Sequence, residues 1–250
     1  MTKIRNRMRH IPSSPRCKMC WAPFDGPGGR VLRHFGFGRF SGNPAICNFC
    51  IAQFQEQGVT GAVIPVTLLF ADIRGSTGIG ERLSPAEFHT FLNRFYRIAL
   101  DAVIDHDGLL DKFVGDEVVA LFFGGVTGPA HTAAGIATAE SIIERCARPD
   151  ATSMGPIPVG AAVHTGEAYV GTSAPPGGAV DDFTALGDIV NTTARLASSA
   201  SADEVLVSLD ALTAAGRIID GEERRHLDIR GRQEPIDVVV LRPAGPAVPA

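Results

Sequence analysis

The chain has 250 residues, 45% hydrophobic and 20% charged, with a net charge of −4 at neutral pH. This is the composition of a soluble globular protein with enough apolar residues for an ordinary core, and the acidic balance argues against nucleic acid as the main partner. No run approaches the ~20 apolar residues of a membrane helix, and the basic start lacks the apolar segment of a secretory signal.

A cytoplasmic protein is therefore expected, its cysteines reduced or metal-bound rather than paired. Residues 1–58 stand apart. They hold four of the five cysteines, many glycines and prolines and few apolar runs, so no core of their own is expected. The first twenty residues carry Lys3, Arg5, Arg7, Arg9, Arg16 and Lys18 without an acid and read as a solvated, disordered arm, with contact to an anionic surface or RNA as the alternative. Cys17-Lys-Met-Cys20 and Cys47-Asn-Phe-Cys50 form two CxxC knuckles with 26 residues (21–46) between them. Four thiolates make a closed tetrahedral site, structural rather than catalytic. One structural zinc is expected, with an iron–sulfur cluster or a redox dithiol pair as alternatives. His10 and His34 are reserve ligands.

Val63 to Ala71 reads as a buried strand, with Pro65 near its start. Ser84-Pro85 gives an N-cap and a proline at the first helical turn. Phe88, Phe91, Leu92, Phe95, Ile98, Ala99 and Val103 recur at helical spacing, and His106-Asp-Gly108 ends that helix. Leu109 to Phe123 reads as a hairpin turning at Val114-Gly115-Asp116. Ala130 to Arg148 is predicted helical, with Cys146 as a buried apolar residue. Ile157–Val163 and Glu167–Val170 read as a strand pair, 171–182 as a loop and 189–200 as a helix. Val205–Ser208, Arg225–Ile229 and Ile236–Leu241 are the late strands, and 243–250 a disordered tail. The order strand, helix, hairpin, helix, strand predicts an α+β sandwich with helices on one sheet face.

Two aspartates stand where a strand gives way to a glycine turn: Asp72 in Leu69-Phe-Ala-Asp-Ile-Arg-Gly-Ser-Thr77 and Asp116 in Asp111-Lys-Phe-Val-Gly-Asp-Glu117. Two carboxylates at strand ends make an oxygen-rich site suited to magnesium or manganese. Gly75, Ser76 and Thr77 follow where a helix is about to start, so their backbone N–H groups are placed for phosphate oxygens. Divalent metal beside a phosphate cradle points to nucleotide chemistry.

With Asp182-Phe-Thr-Ala-Leu-Gly-Asp-Ile-Val-Asn-Thr-Thr-Ala-Arg-Leu196, these segments resemble, in order and spacing, the catalytic domain of class III nucleotidyl cyclases from about Val63 to Leu241. The resemblance implies a ferredoxin-like βαββαβ cyclase sandwich over 59–242, preceded by the cysteine-rich module of 1–58. It implies that a ribose 3′-hydroxyl attacks the α-phosphorus of its own triphosphate, with two Mg²⁺ or Mn²⁺ ions ~3.5–4 Å apart serving the two ends of the displacement. Asp72, Asp116 and the Ile73 carbonyl match the family's metal ligands. Lys112 and Thr184 match its base-contacting positions, and Asn191 and Arg195 its ribose-orienting and transition-state residues. Thr193 replaces a common alanine, a neutral packing change.

A donor-only lysine suits adenine N1, whereas guanine-selective members usually carry glutamate there. The substrate expected is thus ATP, with guanylyl or mixed specificity, or a silent nucleotide-binding module, as alternatives. Arg230 sits where the family often has a triphosphate-binding lysine, with Arg232 as competitor. In the family the metal aspartates and the base, ribose and transition-state residues come from opposite subunits. A head-to-tail homodimer follows.

Overall fold

The computed structural model describes residues 4, 7–8, 10–11, 15–40, 46–56, 61–149, 155–173, 182–218, 221–229 and 234–243. In chain order the elements are α1 (Gly26–Leu32), a π-helical turn (Arg33–Phe37), α2 (Asn48–Glu56), β1 (Gly61–Ile73), α3 (Ser76–Arg82) and α4 (Pro85–Asp105). Then come β2 (Leu109–Val114), β3 (Glu117–Phe122), α5 (His131–Ala147), β4 (Val159–Ser173) and β5 (Asp182–Leu186). The last are α6 (Asp188–Ser199), β6 (Val205–Ser208), α7 (Leu209–Ala214), β7 (Arg224–Leu227) and β8 (Ile236–Leu241). They form two compact units: Met1–Ile64 with Ala168–Leu186, and Pro65–Glu167 with Gly187–Ala250.

The first unit is built around sulfur. Cys17, Cys20, Cys47 and Cys50 are fully buried, as are Ala22 and Ile46, and Phe24 and Ile51 are nearly so. The rings of Phe37 and Phe49 stack at 4.5 Å. Gly29 passes so close to Phe24 that a Cβ would lie 2.5 Å from the Phe24 carbonyl carbon. The expectation that this segment lacks a core is thus corrected. It has a small one, illegible in hydrophobic periodicity because its largest component is four cysteines. In the same unit, the end of β4 pairs antiparallel with β5 from Tyr169↔Leu186 to Ser173↔Asp182, a strand the sequence reading did not anticipate.

In the second unit the sheet order is β2-β3-β1-β4-β6-β8-β7. β1 and β3 are antiparallel, with registers running from Thr67↔Phe122 to Asp72↔Glu117. β4 and β6 are parallel. Alternation along the strands sends Leu69, Ala71, Ile73, Val118, Ala120, Phe122, Ala161, Val163, Val205 and Val207 to one face. There they meet Phe91, Phe95, Ala99 and Val103 of α4, Ile136, Ala139, Ile142 and Ile143 of α5, and Ala211 and Leu212 of α7. This is the expected helical layer. The intervening residues Leu68, Phe70, Val119, Leu121, Leu206, Val238 and Val240 are buried as well. α4 begins as predicted: Ser84 accepts from the Glu87 N–H, Glu87 reaches back to complete a capping box, and Pro85 opens the first turn.

One element is corrected. The predicted strand pair over 157–170 is a single strand, β4. His164-Thr165-Gly166 resembles a turn in sequence, but His164 Nδ1 lies 2.8 Å from Ser208 Oγ and Thr165 Oγ1 donates to the Val66 carbonyl at 3.1 Å. Side-chain bonds to neighbouring strands keep that stretch extended.

Candidate active site

The β1–β3 register brings the two aspartates together. Asp72 ends β1 opposite Glu117, the residue after Asp116. The Ile73 N–H donates to the Asp116 carbonyl at 3.3 Å. The turn carrying Asp116 requires φ of +62° at Gly115, which glycine adopts without strain. Tyr96 of α4 holds this turn from behind, its hydroxyl donating to the Gly115 carbonyl and its ring 4.4 Å from that of Phe113.

Burial pushes the Asp72 carboxyl up to about 6, with Asp116 adding to the rise and the Arg74 guanidinium opposing it. Burial likewise pushes Glu117 up to about 7, with Asp72 and Asp116 contributing. Three carboxyl groups thus converge on one guanidinium, Arg74 Nη2 lying 3.1 Å from Asp72 Oδ2. The cluster holds more negative charge than its neighbours neutralise, and its donors are hard oxygens. The residues fit a divalent cation of the magnesium or manganese kind, held by Asp72, Asp116 and the Ile73 carbonyl. Glu117, Arg74 and Tyr96 were not foreseen. The adjacency of Glu117 to Asp116 was a visible signal; the contacts of Arg74 and Tyr96 needed the tertiary fold.

Gly75 caps α3 in the left-handed conformation at φ +68°, and Ser76 and Thr77 open that seven-residue helix. Lys112 lies on β2 beyond a register shift between Leu110 and Lys112. The shift buries Asp111 and leaves Lys112 half-exposed, with its Nζ 3.6 Å from Asp111 Oδ2.

Asn191 and Arg195 lie one turn apart on the exposed side of α6, whose other side buries Ile189, Thr192, Thr193, Leu196 and Ala197. Thr193 donates to the Ile189 carbonyl at 2.7 Å, so its hydroxyl is satisfied within the helix. Among the described residues, no hydrogen bond or ion pair joins Asn191 or Arg195 to Asp72 or Asp116 of the same chain. Thr184 is buried on β5 in the first unit, paired with Gly171. Arg230 and Arg232 lie outside the described residues.

The family profile described as the adenylate and guanylate cyclase catalytic domain matches residues 60–242. The chain belongs to that class III cyclase family. An uncharacterized protein of Mycobacterium tuberculosis is 30% identical over 210 residues, covering 80% of this chain and 36% of its own length. An adenylate cyclase of Anabaena cylindrica is 35% identical over 136 residues, covering 52% of this chain and 26% of its own length. The chain thus spans about a third of the length of the mycobacterial relative. The guanylyl cyclase Cya2 superposes with a TM-score of 0.65 at 25% identity, covering 75% of this chain and 96% of that one. The adenylyl cyclase CyaB from P. aeruginosa, at 23% identity, shares the fold with a TM-score of 0.62 over 72% of this chain and 95% of its own. Class III cyclase domains bind a nucleotide substrate, generally use divalent metals and commonly dimerise.

The four cysteines are a second group whose geometry fits a metal ion. The four sulfurs lie within 4.8 Å of one another, with Cys17–Cys50 at 3.8 Å and Cys20–Cys47 at 3.6 Å. Tetrahedral ligands at ~2.3 Å from a zinc ion are about 3.8 Å apart, whereas a disulfide needs about 2.05 Å. The Cys47 N–H points at Cys17 Sγ from 3.3 Å, the kind of donor that stabilises a bound thiolate. No helix among the described residues is long and apolar enough to cross a membrane.

Proposed function

We propose that this chain is an adenylyl cyclase that converts ATP to 3′,5′-cyclic AMP and pyrophosphate as a head-to-tail homodimer. The observation that carries the reading is the convergence of Asp72 and Asp116 where β1 meets the β2–β3 turn; Lys112, on the same hairpin, serves the site whose aspartates come from the other subunit. When bound, two Mg²⁺ or Mn²⁺ ions would lower the pKa of the ribose hydroxyl and neutralise charge on the departing phosphates. The remaining roles belong to side chains. Lys112 donates to adenine N1, and the Thr184 hydroxyl accepts from the adenine amino group. The backbone of Gly75, Ser76 and Thr77 donates to phosphate oxygens. Asn191 orients the ribose. Arg195 offers a fixed fork of N–H donors to the α-phosphoryl oxygens as charge builds there. The new bond joins O3′ to the α-phosphorus, the bond from that phosphorus to the β-phosphate oxygen breaks, and the hydroxyl proton is released.

Dimerisation is supported by the separation of the two halves. Asn191 and Arg195 are exposed and, among the described residues, form no hydrogen bond or ion pair with the aspartates of their own chain, in keeping with a site shared between subunits. The triphosphate contact falls to Arg230 or Arg232. The cysteine cluster is read as a structural zinc site, with a cytosolic location that keeps its thiols reduced.

Guanylyl or mixed specificity is the second reading, favoured by the Thr184 hydroxyl, which can also donate to guanine, and by the likeness to Cya2. Initial rates with ATP and with GTP under manganese, for the native protein and for Lys112→Glu, separate the two. The expected result is a kcat/KM for ATP at least about tenfold above GTP, lost in Lys112→Glu without a change in manganese half-saturation. A native preference for GTP overturns the assignment. No product from either nucleotide leaves a silent binding module.

A further inference from the structure

Arg74 joins the two halves of the catalytic machinery within one chain. It follows Asp72 by two residues, in the turn that leaves β1, and its backbone N–H donates to the Pro158 carbonyl at 2.7 Å. A single nitrogen, Nη2, makes two contacts: 3.1 Å to Asp72 Oδ2 and 3.1 Å to the Ala197 carbonyl. Ala197 lies in the last turn of α6, where a cation is favoured, and its carbonyl also accepts from the Ala200 N–H at 3.0 Å. It is two residues from Arg195, on the buried side of the same helix.

The guanidinium fits because β4 has no side chain at Gly160. A Cβ there would stand 2.8 Å from Arg74 Nε and 2.8 Å from the Ser201 carbonyl. Nε is itself buried and has no hydrogen-bond acceptor among the described residues. The side chain is therefore fixed by the Nη2 contacts and by packing against β4. A group so held, touching one metal-binding carboxylate and the end of one helix, fixes the distance between them.

Resting on the homodimer reading above, we propose that Arg74 is a positioning residue that couples the two active sites of the dimer. In a head-to-tail dimer, Asp72 of one chain serves one site, and Arg195 on α6 of that same chain serves the other. Arg74 touches the carboxylate of the first and the helix of the second. A shift of α6 on nucleotide binding at one site moves Ala197, and through Nη2 it moves Asp72 at the other. Lysine does not replace this group: it supplies a charge for Asp72, but its side chain is shorter and lacks the flat head seated against Gly160 that carries Nη2 on to the helix carbonyl.

The test is a mixed dimer of differently tagged chains, one Asp116→Ala and the other Arg195→Ala, so that the Arg74–Asp72 contact is kept in both. Only one of its two sites is intact, with Asp72 and Asp116 from the Arg195→Ala chain and Arg195 from the Asp116→Ala chain. Restored activity on mixing establishes the shared site. If mixing restores nothing, the head-to-tail reading has failed and the coupling fails with it. Arg74→Met is then placed in either chain. In the chain that supplies Asp72, manganese half-saturation is expected to rise about tenfold. In the chain that supplies only Arg195, kcat is expected to fall by roughly ten- to hundredfold with manganese half-saturation unchanged, the scale of a misplaced catalytic group. Activity within twofold in this second arrangement overturns the proposal while leaving the dimer reading intact.

Arg74→Lys, the variant less disruptive to folding, is run beside it. It should restore manganese half-saturation in the first arrangement but not kcat in the second. Restoration of both would reduce Arg74 to a counter-ion of Asp72 and overturn the coupling. Thermal melting and sedimentation of each mixed dimer confirm that the chains are folded and paired.

Discussion

The two compact units solve the problem of holding reactive groups in opposite ways. In the second unit an apolar cluster of sheet and helix residues supplies the stability, and the carboxylates stand at its edge, on strand ends and a glycine turn. In the first unit the candidate metal ligands are the core, four sulfurs as buried as the Ala22 and Ile46 beside them. Removing a ligand from the former should cost chemistry alone. Removing one from the latter should cost the fold of the unit.

The largest effect expected is that of Asp116→Ala. Cyclic nucleotide formation should fall by at least roughly 10²–10³-fold, the scale seen when one preorganised charge-stabilising group is lost. The melting temperature should hold or rise, because Asp116 is one of the groups that disfavour the charged form of Asp72. A fall of more than about 4 °C, worth on the order of 1 kcal/mol or more, would place the carboxylates in the stabilising core and break the contrast. Next is Cys47→Ser. It should release the metal and abolish hydrogen-exchange protection over 15–40 and 46–56, while β2, β3, β6, β7 and β8 of the second unit stay protected. Binding of a structural zinc contributes about 10–16 kcal/mol in small metal-dependent folds, far more than this few-residue core supplies. Metal analysis of the native protein should give one zinc per chain; iron with visible absorption would assign a cluster instead.

Legibility in the sequence differed between the units for the same physical reason. The amphipathic helix α4, its Ser84-Pro85 start and the hairpin at Gly115 were readable because periodicity and turn chemistry are local. Asp72 and Asp116 were readable as a pair only because each ends a strand at a glycine, and because the family's order and spacing are present. The bridging place of Arg74 was invisible: beyond the adjacent Asp72, its neighbours Ala197 and Gly160 are distant in sequence and carry no charge. The small core of the first unit was missed because cysteine does not register as hydrophobic patterning. β4 was split in two because a His-Thr-Gly run resembles a turn until its side chains find Ser208 and Val66.

Acidity sharpens the comparison by a smaller amount. The folded-state values of Asp72, about 6, and Glu117, about 7, lie above their ordinary 3.8 and 4.5. Between those limits these two groups bind more protons in the folded, metal-free protein than in the unfolded chain, so their contribution to stability falls as pH rises from about 4 to about 7. Divalent metal must displace the same protons. Manganese half-saturation should therefore rise as pH drops below 7, by up to about tenfold per unit for each proton displaced. In the first unit acid also competes for the ligands, but there metal loss should be accompanied by unfolding. Calorimetry with and without manganese across pH 5–8 reads the difference. A manganese requirement flat over that range would mean these carboxyls do not hold the metal.

The smallest effect concerns the fifth cysteine. Cys146, on α5 in the second unit, is 1% exposed, and burial pushes its thiol up to about 12. The thiolate is the reactive form, so at pH 8 the native protein should not be alkylated at this position. Chelation of the metal should expose the four thiols of the first unit to iodoacetamide and leave Cys146 unlabelled until the second unit unfolds. Mass spectrometry then counts four adducts, not five. Cys146→Ala should cost on the order of 1 kcal/mol for one lost buried atom and leave manganese-dependent turnover unchanged. A fifth adduct appearing with the other four would mean that metal loss opens both units together, and their stabilities could no longer be treated as separate.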